Sequence, residues 1–362
     1  MSKPRPGSEG YWSALAEDHG AVSRLSKTNR ADGQNGRHGP SRGRTLAQPL
    51  TRRDGVTLRT EVRDYYDISG DRPRSWEGTL EAWRAYIEDK RGVKTVFENG
   101  AGERAAGSKP HRFHPDYADK QYAKLKDLER GISEAYGRRL HTGMLTFTAS
   151  SRPDGEPLPP VDHLDGLLES WDPVRRALDR ALDGRRYERL AILEPHKSGY
   201  LHIHLAVFVD GVVSRETFAP VIEAHVRNCD LAKPEAHAVD DDSTISVRHA
   251  GRDRDLDDDD ALDELAIYLA AYLGTYGDDP LEAPEHVQMA NTVLWATGRQ
   301  RWRPSNGAQQ YMATEPREAD SEWRLVGIEK GEEFYPAEAG SGGVSTFVTS
   351  TDCGPPEPPP SV

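Results

Sequence analysis

The stretch Gly199-Tyr200-Leu201-His202-Ile203-His204-Leu205-Ala206-Val207-Phe208 is a strongly apolar run that carries two histidines two positions apart. In a β-strand, residues i and i+2 point to the same face of the sheet. The pattern therefore predicts a strand in which His202 and His204 converge on one face, while the leucine, isoleucine and valine residues fill the opposite, buried face. Neutral imidazole is the commonest metal ligand among side chains, so the pair is a candidate half of a divalent-cation site.

A carboxylate precedes this strand in a suitable position. The apolar run 190–193 ends at Glu194, and the turn-rich segment Pro195-His196-Lys197-Ser198-Gly199 follows it. This succession predicts an antiparallel hairpin with Glu194 opposite His202 and His204. Two histidines and one carboxylate leave coordination positions open for substrate oxygens. The alternative is that the histidines are hydrogen-bonded core or surface groups and that Glu194 is a solvated strand end.

A second candidate feature lies some sixty residues downstream, in segment 258–274. Acidic residues crowd its start and Gly274 ends it, as in a helix with a favourable dipole and a left-handed cap. Leucines and alanines recur at helical spacing, and Tyr268 and Tyr272 lie about 40° apart on the flank of that apolar stripe. The alternative is a pair of boundary tyrosines with solvated hydroxyls.

Together, the HxH strand and the Tyr-x-x-x-Tyr helix resemble the HUH endonuclease superfamily, specifically its rolling-circle replication initiators. Three motifs of that family occur here in order, namely the Thr-rich strand Met144-Leu145-Thr146-Phe147-Thr148-Ala149-Ser150, then His202-Ile203-His204, then Tyr268-Leu269-Ala270-Ala271-Tyr272-Leu273. Members with two tyrosines usually carry a lysine three residues after the second, whereas this chain has Thr275. The resemblance covers roughly residues 111–315.

The resemblance implies a function as well as a fold. It implies an initiator that nicks single-stranded origin DNA, with Mg²⁺ or Mn²⁺ held by His202, His204 and Glu194. Tyr272 would attack first and Tyr268 second, giving a 5′-phosphotyrosyl enzyme and a free 3′-OH that primes synthesis. The expected partners are single-stranded origin DNA and a host helicase and polymerase.

Three alternatives to the initiator remain open. A relaxase or a single-strand transposase would share the site and the chemistry. A metal-dependent hydrolase would use the HxH pair and Glu194 with activated water, and would not need the tyrosines. A non-catalytic origin-binding or copy-control protein would not need the metal ligands.

Cations alternate with aromatic residues near the end of the resembling region. Such a cluster can stack bases and hold phosphates of single-stranded DNA. The alternative is a solvated loop with aromatic anchors. The candidate DNA-binding residues are Arg299, Arg301, Trp302 and Arg303.

The overall charge is unusual for a protein that binds DNA. The formal net charge is -13 and the pI is about 5.5, whereas phosphate attraction normally requires a basic face. Scarce lysine and acidic runs such as 240–242 and 257–260 resemble proteins of salt-accumulating haloarchaea, which favours a haloarchaeal plasmid or virus as the source. At molar salt the Debye length falls to about 3 Å, so close contacts decide which partners bind.

Cysteine usage and hydropathy indicate a cytoplasmic protein. Cys229 and Cys353 are the two cysteines of the chain, which argues against a disulfide framework and a cysteine-based zinc site. The sequence shows no apolar run long enough to span a bilayer and no signal-peptide core.

The chain divides by composition into four segments. We expect a disordered basic arm at 1–55, a region without assigned role at 56–110, the catalytic domain at 111–315 and a largely disordered tail at 316–362. Strands and helices mix without regular βαβ alternation. The expected fold is therefore α+β, ferredoxin-like or RRM-like, with a central antiparallel sheet flanked by helices.

Overall fold

The computed structural model describes residues 45–65, 75–109, 111–251, 279–312 and 323–337. The chain forms two compact units, one from residues 1–91 and 110–317 and the other from residues 92–109 and 318–362. Among the described residues, no helix combines the length and the apolar character needed to cross a membrane.

The described elements are numbered in chain order. The helices are α1 (Thr60–Asp64), α2 (Trp76–Arg91), α3 (Pro115–Tyr136), α4 (Pro160–Glu169), α5 (Trp171–Ala181), α6 (Arg215–Asn228), α7 (Glu285–Thr297) and α8 (Asn306–Gln309). The strands are β1 (Val93–Glu98), β2 (Arg104–Ser108), β3 (Leu140–Phe147), β4 (Tyr187–Pro195), β5 (Leu201–Asp210), β6 (Ile245–Arg248), β7 (Trp302–Pro304), β8 (Arg324–Lys330) and β9 (Glu333–Pro336).

The first unit is built on a sheet with strand order β6-β3-β5-β4-β7, in which all neighbours are antiparallel. Strands β4 and β5 form the hairpin that the sequence predicts, with Glu194 paired to His202 and Leu193 to Ile203. The expectation of an α+β fold with a central antiparallel sheet flanked by helices is confirmed.

One face of this sheet carries the larger core. Leu145, Leu205 and Val207 are fully buried there, as period-two alternation requires. Gly143 lets helix α6 approach closely, because a Cβ atom at that position would lie 2.7 Å from Phe218 Cε2. The apolar face of the HxH strand is therefore the packed face, as predicted.

The opposite face changes character along the strands. Helix α3 covers its far half, where Leu125, Leu128 and Ile132 pack with Leu190 and Phe208 in a second core cluster. Nearer the β4–β5 turn, the residues that point to this face are polar. This half of the face carries the three candidate ligands, Glu194, His202 and His204.

Residues 45–55, expected in the basic arm, form part of the first unit and contribute to its core. Leu50 is 1% exposed and belongs to its core. Thr51 Oγ1 donates a 2.5 Å hydrogen bond to Asp162 Oδ1 on α4. The physical reason is the pair of leucines at 46 and 50, which bury against the domain despite their polar neighbours. The rest of the arm, residues 1–44, lies outside the described residues.

The second unit is a sheet with strand order β2-β1-β8-β9, again antiparallel throughout. Residues 324–336, expected within the tail, supply β8 and β9, and residues 93–108 supply β1 and β2. The structure thus pairs segments that the composition assigns to different regions.

Candidate metal centre

The β4–β5 hairpin places the three candidate ligands. Glu194 lies directly opposite His202 in the strand register, and His204 follows two residues later on the same face. The turn is closed by a 2.7 Å hydrogen bond from the His196 amide to the Tyr200 carbonyl. Gly199 adopts φ +86°, a conformation that glycine enters without steric penalty.

The ligand atoms of these side chains converge. His202 Nε2 lies 2.9 Å from Glu194 Oε2 and 2.9 Å from His204 Nε2. His204 Nε2 also contacts Glu194 Oε2. The candidate ligand atoms of all three residues lie within 4.8 Å of one another, so a single cation could contact all three.

The site is largely screened from solvent. The side chains of His202, His204 and Glu194 are 12%, 9% and 21% exposed. Burial works to raise the pKa of Glu194, but charge interactions and hydrogen bonds with His204 and His202 outweigh it and lower the pKa. Burial lowers the pKa of His204, against the opposing charge of Glu194. An ionised carboxylate and a neutral imidazole are the forms that bind divalent cations.

A row of side chains crosses the sheet through His204. The strand register pairs Thr146 on β3 with His204, His204 with Ile192 on β4, and Ile192 with Trp302 on β7. Directly paired residues share a face, so all four lie on the face that carries the candidate ligands. Thr146 Oγ1 is 3.2 Å from His204 Nδ1, the ring nitrogen turned away from Glu194.

One titratable neighbour of the cluster, His286, carries no local sequence signal. Burial lowers the pKa of His286 on α7, Lys197 in the hairpin turn lowers it further, and Glu194 opposes both. These interactions require His286 and Lys197 to lie near the candidate ligands. The α7 segment is almost ninety positions beyond the hairpin, so only the folded chain brings them together.

The predicted DNA-binding residues do not form one surface. Arg301 is 8% exposed and its guanidinium donates to Asn291 Oδ1 on α7, so it bonds inside the protein and does not face solvent. Arg299 forms a 2.5 Å ion pair with Asp165 on α4. Trp302 is partly buried on the face of the candidate ligands, and Arg303 is exposed beside it in the sequence. Pairing of β7 with β4 turns neighbouring residues to opposite faces, which the alternation of cations and aromatics does not reveal.

The other predicted site residues cannot be placed. Tyr268, Tyr272 and the whole segment 258–274 lie outside the described residues. Their roles therefore stay predictions from the sequence.

Comparison with known proteins identifies the family of this chain. A family model described as "Putative rep protein (DUF1424)" matches residues 48–335. The chain belongs to this family. The match extends over both units and includes all three candidate ligands. No solved structure matches the chain.

Two relatives of this chain come from haloarchaea. One, "Uncharacterized 36 kDa protein" of Halobacterium salinarum, is 46% identical over 292 residues, which cover 77% of this chain and 90% of the relative. The other, of the same description from Halobacterium sp. (strain GN101), is 43% identical over 291 residues, covering 76% and 87%. Their source agrees with the acidic, lysine-poor composition.

Proposed function

We propose that this protein initiates rolling-circle replication by nicking single-stranded DNA at an origin. The observation that carries the proposal is the convergence of Glu194, His202 and His204 at the hairpin end of an antiparallel sheet. The family description, with its reference to rep proteins, supports the same reading. The proposal places the chain in the HUH endonuclease superfamily, and the order of the Thr-rich strand, the HxH strand and the tyrosine segment in the sequence supports it.

The three side chains suit a divalent cation such as Mg²⁺ or Mn²⁺. They offer two imidazole nitrogens and one carboxylate oxygen, and so few protein ligands leave positions for phosphate oxygens. The cation, when bound, supplies positive charge against the non-bridging oxygens of the scissile phosphate. Low exposure of the site strengthens that interaction, because water screens it less.

The proposed nucleophile is Tyr272, with Tyr268 as the second tyrosine. The Tyr272 oxygen attacks phosphorus and loses its proton, the bond to O3′ breaks, and O3′ takes up a proton. The products are a 5′-phosphotyrosyl enzyme and a free 3′-OH that primes synthesis by the host polymerase behind a host helicase. The ordinary pKa of tyrosine is about 10, so the reaction needs a nearby base or positive charge.

Trp302 is the proposed stacking surface for the DNA strand. It lies two strands from His204 on the same face, a separation of about 10 Å at ordinary strand spacing. A base of the bound strand can therefore stack on the indole while a phosphate lies at the candidate ligands. Exposed Arg303 follows Trp302 on the edge strand β7 and is the proposed contact for a phosphate that passes this edge of the sheet.

The proposal is tested by incubating the purified protein with a labelled single-stranded origin oligonucleotide and Mn²⁺ at high salt. We expect a covalent protein-DNA adduct that survives denaturing electrophoresis. The double variant Tyr268→Phe, Tyr272→Phe should lose the adduct, and so should His202→Ala. The matched control is Tyr335→Phe, an exposed tyrosine of the second unit, which should form the adduct normally.

Other results select among the alternatives. Cleavage without an adduct, unchanged in the double tyrosine variant, would overturn the nickase and indicate a metal-dependent hydrolase. Binding of origin DNA without cleavage would indicate an origin-binding or copy-control protein. An adduct formed only with transfer-origin or transposon-end DNA would identify a relaxase or a single-strand transposase.

A further inference from the structure

We propose that Thr146 is a positioning residue that holds the His204 imidazole in the form able to bind a cation. The inference rests on the proposed metal-binding role of His204. It gives a chemical role to the Thr-rich strand, whose function is otherwise unassigned.

The geometry separates the two nitrogens of the His204 ring. Nε2 faces Glu194 Oε2 and His202 Nε2, whereas Nδ1 lies 3.2 Å from Thr146 Oγ1 on the neighbouring strand. Thr146 and His204 are direct partners in the β3–β5 register. The hydroxyl therefore lies at the back of the ring, on the side away from the other candidate ligands.

A threonine hydroxyl can donate or accept, and the proposal takes Thr146 Oγ1 as the acceptor in this contact. A neutral imidazole carries its proton on one nitrogen only, and a nitrogen that binds a cation must be unprotonated. When His204 Nδ1–H donates to Thr146 Oγ1, the proton stays at Nδ1 and the Nε2 lone pair points toward Glu194 and His202. Hydrogen bonds at the second nitrogen of a metal-binding histidine fix its tautomer and ring orientation in this way.

The strand that carries Thr146 is itself held firmly at this end. The Thr146 amide donates to the Thr244 carbonyl at 3.0 Å. Two residues later, the Thr148 amide donates to His237 Nε2 at 3.1 Å, and His225 Nε2 donates to the Thr148 carbonyl at 2.9 Å. Both histidines are buried. The main chain that carries Thr146 is thus held in place at Thr146 and at Thr148.

The test uses the full chain and two independent readouts. Thr146→Val keeps the shape of the side chain and removes the acceptor, whereas Thr146→Ser keeps the acceptor. Thr142→Val is the matched control, because Thr142 lies four residues away on the same face of β3, paired with Phe208. Mn²⁺ affinity is measured by titration, and the position and exchange rate of the His204 ring proton are measured by ¹⁵N NMR of the Mg²⁺-loaded, histidine-labelled protein.

We expect Thr146→Val to weaken Mn²⁺ binding by roughly 10- to 100-fold, the usual effect of losing such a partner. Thr146→Ser should restore affinity, and Thr142→Val should leave it unchanged. In the Mg²⁺-loaded wild type, the proton of the His204 ring should be at Nδ1 and should exchange slowly with water, and in Thr146→Val it should exchange faster.

Two results would overturn the positioning role. One is unchanged Mn²⁺ affinity and unchanged ring-proton exchange in Thr146→Val, and the other is an equal loss of affinity in Thr146→Ser and Thr142→Val, which would indicate a packing effect. The proposed function fails separately. If the wild type binds Mn²⁺ but does not cleave DNA, the nickase is excluded and the role of Thr146 stands. If the wild type binds no Mn²⁺, both proposals fall.

Discussion

Gly199 lies against Met289, so that a Cβ atom on the glycine would be 2.8 Å from Met289 Cε and 2.9 Å from Met289 Cβ. This contact joins the turn of the β4–β5 hairpin to helix α7. Glycine suits this position for two reasons. The residue has φ +86°, and there is no space for a side chain.

We expect Gly199→Ala to be more destabilising than a positive φ alone would predict. The matched control is Gly184→Ala, because Gly184 has φ +73° and nothing within 4 Å of its added Cβ. The control measures backbone strain of about 1 kcal/mol. Gly199→Ala should lose a further ~1–3 kcal/mol of unfolding free energy from overpacking. Urea unfolding checks both variants, and equal losses would mean that Met289 simply moves aside.

Removal of the Glu194 charge should weaken metal binding. Glu194→Gln keeps the size of the side chain and removes the anionic oxygen, so Mn²⁺ affinity should fall, by a smaller factor than in His202→Ala or His204→Ala. Glu156→Gln, at an exposed carboxylate, is the control for net charge. A metal titration of Glu194→Gln identical to that of the control would remove Glu194 from the ligand set.

Acid should destabilise the fold through histidines that are buried in the neutral form. Burial lowers the pKa of His163 and of His225 to about 4 in the folded protein. The unfolded chain titrates near 6.5, so the stability these groups confer is complete above that pH and is lost as the pH falls toward 4.

The loss should approach about 3 kcal/mol for each of the two histidines at pH 4. Urea unfolding at a series of pH values measures it, and NMR titration of the folded protein assigns it. A native midpoint near 6.5 for His225 would contradict the prediction. Its ring donates to the Thr148 carbonyl at 2.9 Å and lies 2.7 Å from Ser170 Oγ, so it is fully enclosed by protein groups.

Trp302→Ala should weaken binding of single-stranded DNA more than it slows cleavage at saturating DNA. Loss of one stacked base corresponds to ~1–3 kcal/mol, or about tenfold or more in affinity. Trp323→Ala removes an aromatic residue that is 42% exposed in the second unit and serves as the control. Equal affinities in the two variants would assign Trp302 to packing alone. Arg301→Ala should instead lower stability, because it removes a partner of buried Asn291.

The order of the two tyrosines can be tested with single variants. By the family resemblance, Tyr272→Phe should remove the first cleavage and its covalent adduct, because the second position is the one that single-tyrosine relatives keep. Tyr268→Phe should still nick the origin and fail to complete strand transfer. Loss of the adduct in Tyr268→Phe alone would reverse the order.

The candidate site was predictable because its residues are close in sequence and follow one local rule. Period-two alternation places His202 and His204 together, and a short turn brings Glu194 opposite them. Local sequence patterns also predict helices near residues 80–87, 116–138, 174–182 and 215–229, and these correspond to α2, α3, α5 and α6.

Helix α7 could not be recognised in the same way. Every residue from Val287 to Ala296 is buried, so the helix has no polar face to produce an amphipathic pattern. Some of its polar side chains bond inside the fold, as when Gln288 Nε2 donates to the carbonyls of Leu281 and Ala283 at 2.8 and 2.7 Å. The place of His286 near Glu194 depends on this packing, and no spacing in the sequence encodes it.

The second sheet has a practical consequence for anyone who shortens the chain for crystallisation. Strand β1 has β2 on one side and β8 on the other. A protein ending before residue 323 would keep β1 and β2 as a lone two-stranded hairpin, which is marginally stable in water. The bare edge of β1 would then offer unpaired amides and carbonyls to other molecules, a common route to aggregation. Trimming from the carboxyl end should therefore stop beyond Pro336.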